Sequence, residues 1–294
     1  MFGLFEKITG YFQEMMLGAI QTNLEGMFLD INDNVSLVAS EVGKTPQSWN
    51  AEVFSFIKSI NDTVVIPVAG IIITAVLCIE LINMVMEKNN MHSDTDTFEF
   101  FKYIIKMWVA VWLVSHAFTF SMAVFDVAQT LVTKAAGVIN TSAVLNSDDI
   151  LAMVDALKED PPTLKHVMNL AGIVVETGIV KLSIQVVSII IIVVTYGRMI
   201  EICLYSSVSA IPFATMGNKE WGQIGTNYIR GLFALGLQGL FLMICLGIYA
   251  VLVKTVHVTG DIHSSIFGVL GYTVLLGIMM LKSGTIAKSI TNAH

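Results

Sequence analysis

The chain has 294 residues, of which 55% are apolar and only 13% are Asp, Glu, Lys or Arg. Soluble domains carry about 25% charged residues, so this composition excludes an ordinary soluble enzyme and a disordered chain. The net charge of -7 argues against a protein that follows a phosphate backbone with a basic surface. The composition predicts an all-α polytopic membrane protein.

The first 60 residues are predicted to be amphipathic helices outside the membrane core, extracytoplasmic or interfacial. Apolar side chains recur there at helical spacing: Phe2, Phe5, Ile8, Phe12, Met15 and Ala19. The polar side lacks the Lys and Arg of a helix that binds anionic lipid, which favours packing on a partner subunit. A turn is expected at residues 43–46, followed by a short helix over 48–60 with Ser48 as its N-cap.

Residues 61–294 are predicted to form the membrane domain, because a membrane-crossing helix needs about 20 mostly apolar residues. About five segments satisfy this length: residues 64–86, 104–132, 182–200, 229–253 and 264–281. Residues 202–216 are shorter. They are expected to be a re-entrant piece, or a continuation of the third helix that breaks at Pro212.

The longest polar interruption is residues 140–165, which predicts a small helical extracytoplasmic loop. Its helix is expected to begin at residues 147–149 and to end at Pro161 and Pro162. The side of the membrane that is richer in Lys and Arg per residue holds both Arg198 and Arg230, so we expect that side to be cytoplasmic. The N-terminus is then outside the cell and the C-terminus is in the cytoplasm.

No motif for catalysis, metal binding or cofactor binding is found. Residues 43–45 (GKT) resemble the end of a P-loop, but Val38 stands where the loop needs a glycine. The six histidines show no metal-ligand spacing, and the three cysteines lie in apolar runs, which is typical of packing residues. We therefore expect neither an enzyme nor a cofactor, although bound phospholipids are plausible.

Polar residues follow the spans at helical spacing and are candidates for a translocation path or for hydrogen bonds between helices. The candidate residues are Glu80, Asn83, Ser115, Thr119, Asp126, Lys181, Gln185, Ser188 and Gln238. Both interpretations stay open for each of them. Small residues predict close helix packing, at Ser206, Ala210, Ala214 and Gly268.

The order of elements and several segments resemble the TrbL-like polytopic membrane subunit of type IV secretion systems. They are also similar to conjugal transfer membrane proteins of Gram-positive integrative and conjugative elements. The segments that carry the likeness are 23–28 (NLEGMF), 61–67 (NDTVVIP), 78–83 (CIELIN), 94–102 (DTDTFEFFK), 107–110 (MWVA), 115–120 (SHAFTF) and 209–214 (SAIPFA).

The resemblance implies a channel or scaffold subunit of a conjugative type IV secretion system in the cytoplasmic membrane. It implies a homo-oligomeric ring that works with secretion ATPases and a coupling protein, and that contacts a DNA-protein substrate transiently. It supplies no catalytic residues. The alternative is a small-solute transporter or ion channel that uses the intramembrane carboxylates Glu80 and Asp126.

Overall fold

The computed structural model describes residues 2–88, 96–138, 147–218, 220–255 and 262–293. The regular elements of these residues are all helical, which confirms the all-α prediction. In chain order they are α1 (Phe2–Val42), α2 (Pro46–Trp49), α3 (Ala51–Ile60), a π-helical turn (Asn61–Val65), α4 (Ile66–Lys88), α5 (Asp96–Ser115), α6 (Ala117–Val138), α7 (Ser147–Asp155), α8 (Leu164–Ser207), α9 (Ala210–Thr215), α10 (Gly222–Thr255) and α11 (Ile262–Thr291).

Four helical stretches are long and apolar enough to cross a membrane, or five if the bent pair α5 and α6 counts as one span. The four are Ala51–Met86, Leu164–Ser207, Gly222–Val253 and His263–Thr291. This agrees with the predicted count of about five. The second predicted span was wrong as one continuous helix, because α5 and α6 meet at His116 with a bend of 71°.

The described chain divides into two compact units. Unit 1 consists of Met1–Glu41, Ala135–Thr195 and Leu242–Lys282, and unit 2 consists of Val42–Lys134, Tyr196–Phe241 and Ser283–His294. In unit 1, α1 runs parallel to the first part of α8. The Asn23 amide donates to the Thr177 hydroxyl at 3.1 Å, and the Asn34 amide donates to the Ser188 hydroxyl at 2.6 Å.

Unit 2 packs its helices around one apolar cluster that includes Ala69, Phe125, Phe213 and Leu232. Contacts between side chains define the helix directions. Helix α3 runs parallel to the end of α8, since Trp49 meets Tyr196 and, further along both helices, Asn61 meets Ser207.

Other pairs in unit 2 complete the pattern of directions. Between α4 and α5, Tyr103 donates to the Leu77 carbonyl and Lys106 reaches Glu80, so residue numbers rise together along the two helices at this contact. Helix α10 is antiparallel to α8 and parallel to α6. Since α4 continues the stretch that runs parallel to α8, the helices α4, α6, α8 and α10 alternate in direction, as successive membrane spans must.

Two smaller predictions about helix ends were wrong. Ser48 is not the N-cap of α3, because it lies inside α2. The N-cap is Asn50, whose side-chain oxygen accepts hydrogen bonds from the backbone N–H groups of Glu52 and Val53. The loop helix α7 begins at Ser147 as predicted but ends at Asp155, before the two prolines. Residues 140–146 of the predicted loop lie outside the described residues.

The predicted amphipathic N-terminal helix is the first part of α1, and its predicted apolar face points outward. Phe5, Ile8, Phe12 and Met15 are exposed, whereas Thr9 and Gln13 of the other side are buried. The side chain of Phe2 lies outside the described part. What covers this face stays a prediction.

Candidate functional site

The polar contacts of unit 2 gather where two membrane helices are interrupted. Helix α8 stops at Ser207 and α9 begins at Ala210, and the π-helical turn Asn61–Val65 interrupts the stretch that becomes α4. We call the segment from Ser207 to Ala210 the helix break. Backbone irregularity at membrane depth is stable only where protein or water satisfies the freed backbone groups.

A proline accounts for each interruption. The ring of Pro212 would clash with the carbonyl of Val208, four residues earlier, so a continuous helix cannot pass that point. Pro212 itself lies in the first turn of α9, where its missing N–H costs nothing. The predicted break at Pro212 is thus wrong in position, although proline is its cause. Pro67 acts in the same way on Thr63, inside the π-helical turn.

Side chains from neighbouring elements satisfy the carbonyls that the helix break frees. The Asn61 amide donates to the Ser207 carbonyl at 3.0 Å and to the Ser209 hydroxyl at 3.3 Å. The Tyr228 hydroxyl of α10 donates to the Tyr205 carbonyl at 2.8 Å. Asn61 is fully buried and its carbonyl oxygen has no hydrogen-bond partner. Asn61 therefore joins the two interruptions directly.

Arg198 is a second buried polar group of unit 2. Only 6% of its surface is exposed, and its Nε donates to the Leu235 carbonyl of α10 at 3.3 Å. Its guanidinium lies against Gly239, where an added Cβ would stand 2.5 Å from one of its nitrogens. Arg198 therefore occupies space that a glycine leaves on α10, and it does not reach out to the membrane surface.

The predicted polar residues of the first two spans lie apart from the helix break. Glu80 forms an ion pair with Lys106 of α5 at 3.0 Å, and Asn83 is exposed. Ser115, Thr119 and Asp126 are exposed. Because the bend at His116 separates Ser115 from the other two, these three residues do not form one stripe.

The predicted polar residues of the later spans have different neighbours. In unit 1, Lys181 lies against Gly26 of α1, Ser188 bonds to Asn34, and Gln185 is exposed. In unit 2, Gln238 is buried and lies against Gly284, where an added Cβ would stand 3.2 Å from its Nε2.

The predicted packing residues lie mainly near the helix break. Ser206, Ala210 and Ala214 are completely buried, and Gly268 is half-buried in unit 1. The Ser206 hydroxyl has no hydrogen-bond partner. The described residues hold no group of three or more His, Cys, Asp or Glu side chains that could bind a metal ion.

Sequence reasoning did not select Asn61, Tyr228 or Arg198 as site residues. A usable signal was present for the first: the chain has five prolines, and Pro67 and Pro212 are the two inside apolar runs. A proline within a span predicts freed carbonyls nearby, and a polar residue within two turns, such as Asn61 before Pro67, is a candidate to satisfy such a carbonyl.

Comparison with known proteins agrees with the resemblance noted in the sequence. The family model described as "TrbL/VirB6 plasmid conjugal transfer like protein" matches residues 31–210, which include most of α8 and the first residue of α9. Neither the curated proteins nor the solved structures gave a match. Since the matched region covers more than half of the chain, the protein belongs to the TrbL/VirB6 plasmid conjugal transfer-like family.

Proposed function

We propose that this protein is a channel or scaffold subunit of a conjugative type IV secretion system, in the cytoplasmic membrane. The family match over residues 31–210 carries the proposal. The alternating helix directions in unit 2 support it, because they fit a polytopic subunit. The role assigned to the protein is to form or border the path of a DNA-protein substrate, beside secretion ATPases and a coupling protein.

The subunit acts as a homo-oligomeric ring in this proposal. A bundle of about five spans cannot enclose a path as wide as DNA, so several copies are needed. Large apolar side chains on α4 and α5 are available for lipid or for neighbouring copies: Ile71 is 73% exposed and Trp108 is 66% exposed. Bound phospholipids would fill the gaps between copies.

The orientation we propose has the N-terminus outside and the C-terminus in the cytoplasm. With five spans, the C-terminal ends of α4, α8 and α11 then face the cytoplasm. The support is the excess of Lys and Arg per residue on that side, including Arg230.

The structure gives no specific support to the alternative of solute transport. That hypothesis depends on Glu80 and Asp126 as intramembrane carboxylates. Glu80 is paired with Lys106 across α4 and α5, and Asp126 is on the exposed side of α6. A binding site for a small solute would need these groups to converge, and they do not.

The test is the conjugation frequency of donor cells from which the gene is deleted in frame. We expect transfer to be lost and to be restored by the wild-type gene in trans. Complementation with Asn61→Asp should fail, and the exposed neighbour Asp62→Asn should restore transfer, at equal amounts of protein in the membrane fraction. Undiminished transfer in the deletion strain would refute the proposal, and a strictly monomeric protein in nanodiscs would refute the ring.

A further inference from the structure

The outward side of α1 is polar between residues 18 and 40. Thr22, Asp33, Ser36 and Ser40 are exposed along one helical face, at spacings of three to four residues or multiples of them. Leu29 is the one large apolar side chain exposed on this face. The opposite side of α1 is buried, as Ile20, Leu24 and Met27 show. We call residues 22, 33, 36 and 40 the polar face of α1.

This polar face lies beside the most apolar part of unit 1. Asn23 bonds to Thr177 and Asn34 bonds to Ser188, so residues 23–34 of α1 run along residues 177–188 of α8. Val187, next to Ser188, packs on Gly277 of α11, where an added Cβ would stand 3.0 Å away. Asp33 is therefore level with the middle of two helices that are apolar enough to cross a membrane.

The other long helices of unit 1 have apolar outward faces. The exposed large side chains are Val175, Ile179, Leu182, Val186, Ile189 and Val193 on α8, Ile244, Ile248 and Val251 on α10, and Phe267, Leu275, Ile278 and Leu281 on α11. Aliphatic faces of this kind suit hydrocarbon. At the same depth α8 exposes one amide, Gln185, among its apolar side chains, whereas α1 presents hydroxyl and carboxylate groups, which hydrocarbon does not accommodate.

Beyond Lys7, every charged residue of α1 is acidic. Between residues 8 and 43 the sequence has five acidic residues and no Lys or Arg. Asp33 is exposed, and Glu25 accepts a hydrogen bond from the Gln21 amide at 2.8 Å. Lys181 of α8 lies against Gly26, so the excess of carboxylate on α1 is further along the helix, around Asp33. A surface with such an excess attracts positive solutes and repels phosphate groups.

We propose that the polar face of α1 lines a water-filled path at membrane depth and that this wall attracts cations. The inference rests on the proposed channel function and assigns its water-facing element. The wall then lets a nucleic acid pass without binding it, because carboxylates repel the phosphates, while cations and cationic protein segments are concentrated beside it.

The experiment measures access of water-soluble reagents to single cysteines in the oligomer reconstituted in nanodiscs. The background replaces Cys78, Cys203 and Cys245 by alanine. Ser36→Cys and Thr22→Cys report on α1, and Ile179→Cys and Val186→Cys on the exposed face of α8 are matched controls. A membrane-impermeant methanethiosulfonate should label the α1 positions and leave the α8 positions unlabelled.

A charge comparison tests the second half of the proposal. The measured quantity is the reaction rate of a cationic methanethiosulfonate divided by that of an anionic one. At Ser36→Cys this ratio should be roughly 10-fold higher than the ratio for a free thiol. Adding Asp33→Asn should reduce that ratio. If the rate ratio at Ser36→Cys equals the ratio for the free thiol, the cation-attracting wall is overturned.

The outcomes separate this inference from the proposed function. If the α1 positions stay unlabelled in nanodiscs, the water-filled path is overturned. If they are labelled only in detergent monomers, a partner covers the polar face in the oligomer, and the path is overturned as well. Labelled α1 positions in a protein whose deletion leaves conjugation undiminished would retain the path and reject the secretion role.

Discussion

Replacing Asn61 tests whether its side chain holds the two helix interruptions together. Asn61→Ala removes the donations to the Ser207 carbonyl and the Ser209 hydroxyl. Hydrogen bonds between membrane helices are worth about 0.6 kcal/mol each on average. The variant introduces no charge. It also removes the unpaired side-chain oxygen of Asn61, and this gain partly offsets the cost of leaving the Ser207 carbonyl without a donor. The expected loss of unfolding free energy is about 1 kcal/mol, roughly a fivefold change in the folded-to-unfolded ratio.

Asn61→Asp should cost considerably more than Asn61→Ala. It places a carboxylate where the amide donated to the Ser207 carbonyl at 3.0 Å, in a position that is completely buried. An uncompensated buried charge of this kind costs about 3 kcal/mol or more. We therefore expect the free energy of unfolding to fall in the order wild type, Asn61→Ala, Asn61→Asp.

The measurement is reversible unfolding in mixed micelles, with SDS mole fraction as the variable and circular dichroism as the signal. Asp62→Ala is the matched control, because Asp62 is the next residue and is exposed. The reasoning is refuted if Asn61→Ala is as stable as the Asp62→Ala control, or if Asn61→Asp is no less stable than Asn61→Ala.

Two further experiments test packing and charge in unit 2. Gly225→Ala would place a Cβ 2.5 Å from the Pro212 carbonyl oxygen, so it should destabilise the protein by about 1–3 kcal/mol in the same unfolding assay. Gly70→Ala, with nothing within 4 Å of the added Cβ, should be neutral or stabilising, and equal effects would contradict the packing argument. A double-mutant cycle on Glu80 and Lys106 in nanodiscs should give a coupling above about 1 kcal/mol, the ceiling for water-exposed pairs. A smaller coupling would mean that water, not hydrocarbon, surrounds this ion pair.

The number and class of the spans could be predicted because they depend on composition and length. Hydrocarbon selects about 20 apolar residues in a row whatever the tertiary contacts are. The bend at His116 could not be predicted in this way, because residues 104–132 have the length of a single span and no proline or glycine marks the position. The bend depends on packing instead. Ala117 and Phe118, the first two residues after it, are both buried.

Assignments of individual side chains were harder to predict, since a polar residue in a span has several ways to be satisfied. Periodicity put Ser115 and Asp126 on one stripe, but the bend separates them. Lys106 pairs with Glu80 across 26 residues of sequence, and spacing within one helix carries no signal of such a pair. The polar face of α1 was missed because the apolar positions of its first four turns dominated the pattern.

The pairing of α1 with α8 has a consequence for the synthesis of the protein. The hydrogen bonds between these helices join residues that are 151 to 154 positions apart. A ribosome adds about 5–20 residues per second, so about 8–30 s pass between the emergence of α1 and that of its partner. During that interval the apolar inner side of α1, with Ile20, Leu24 and Met27, has no protein to cover it. The nascent segment must therefore rest on the bilayer surface or on a chaperone, and it docks only after α8 has been inserted.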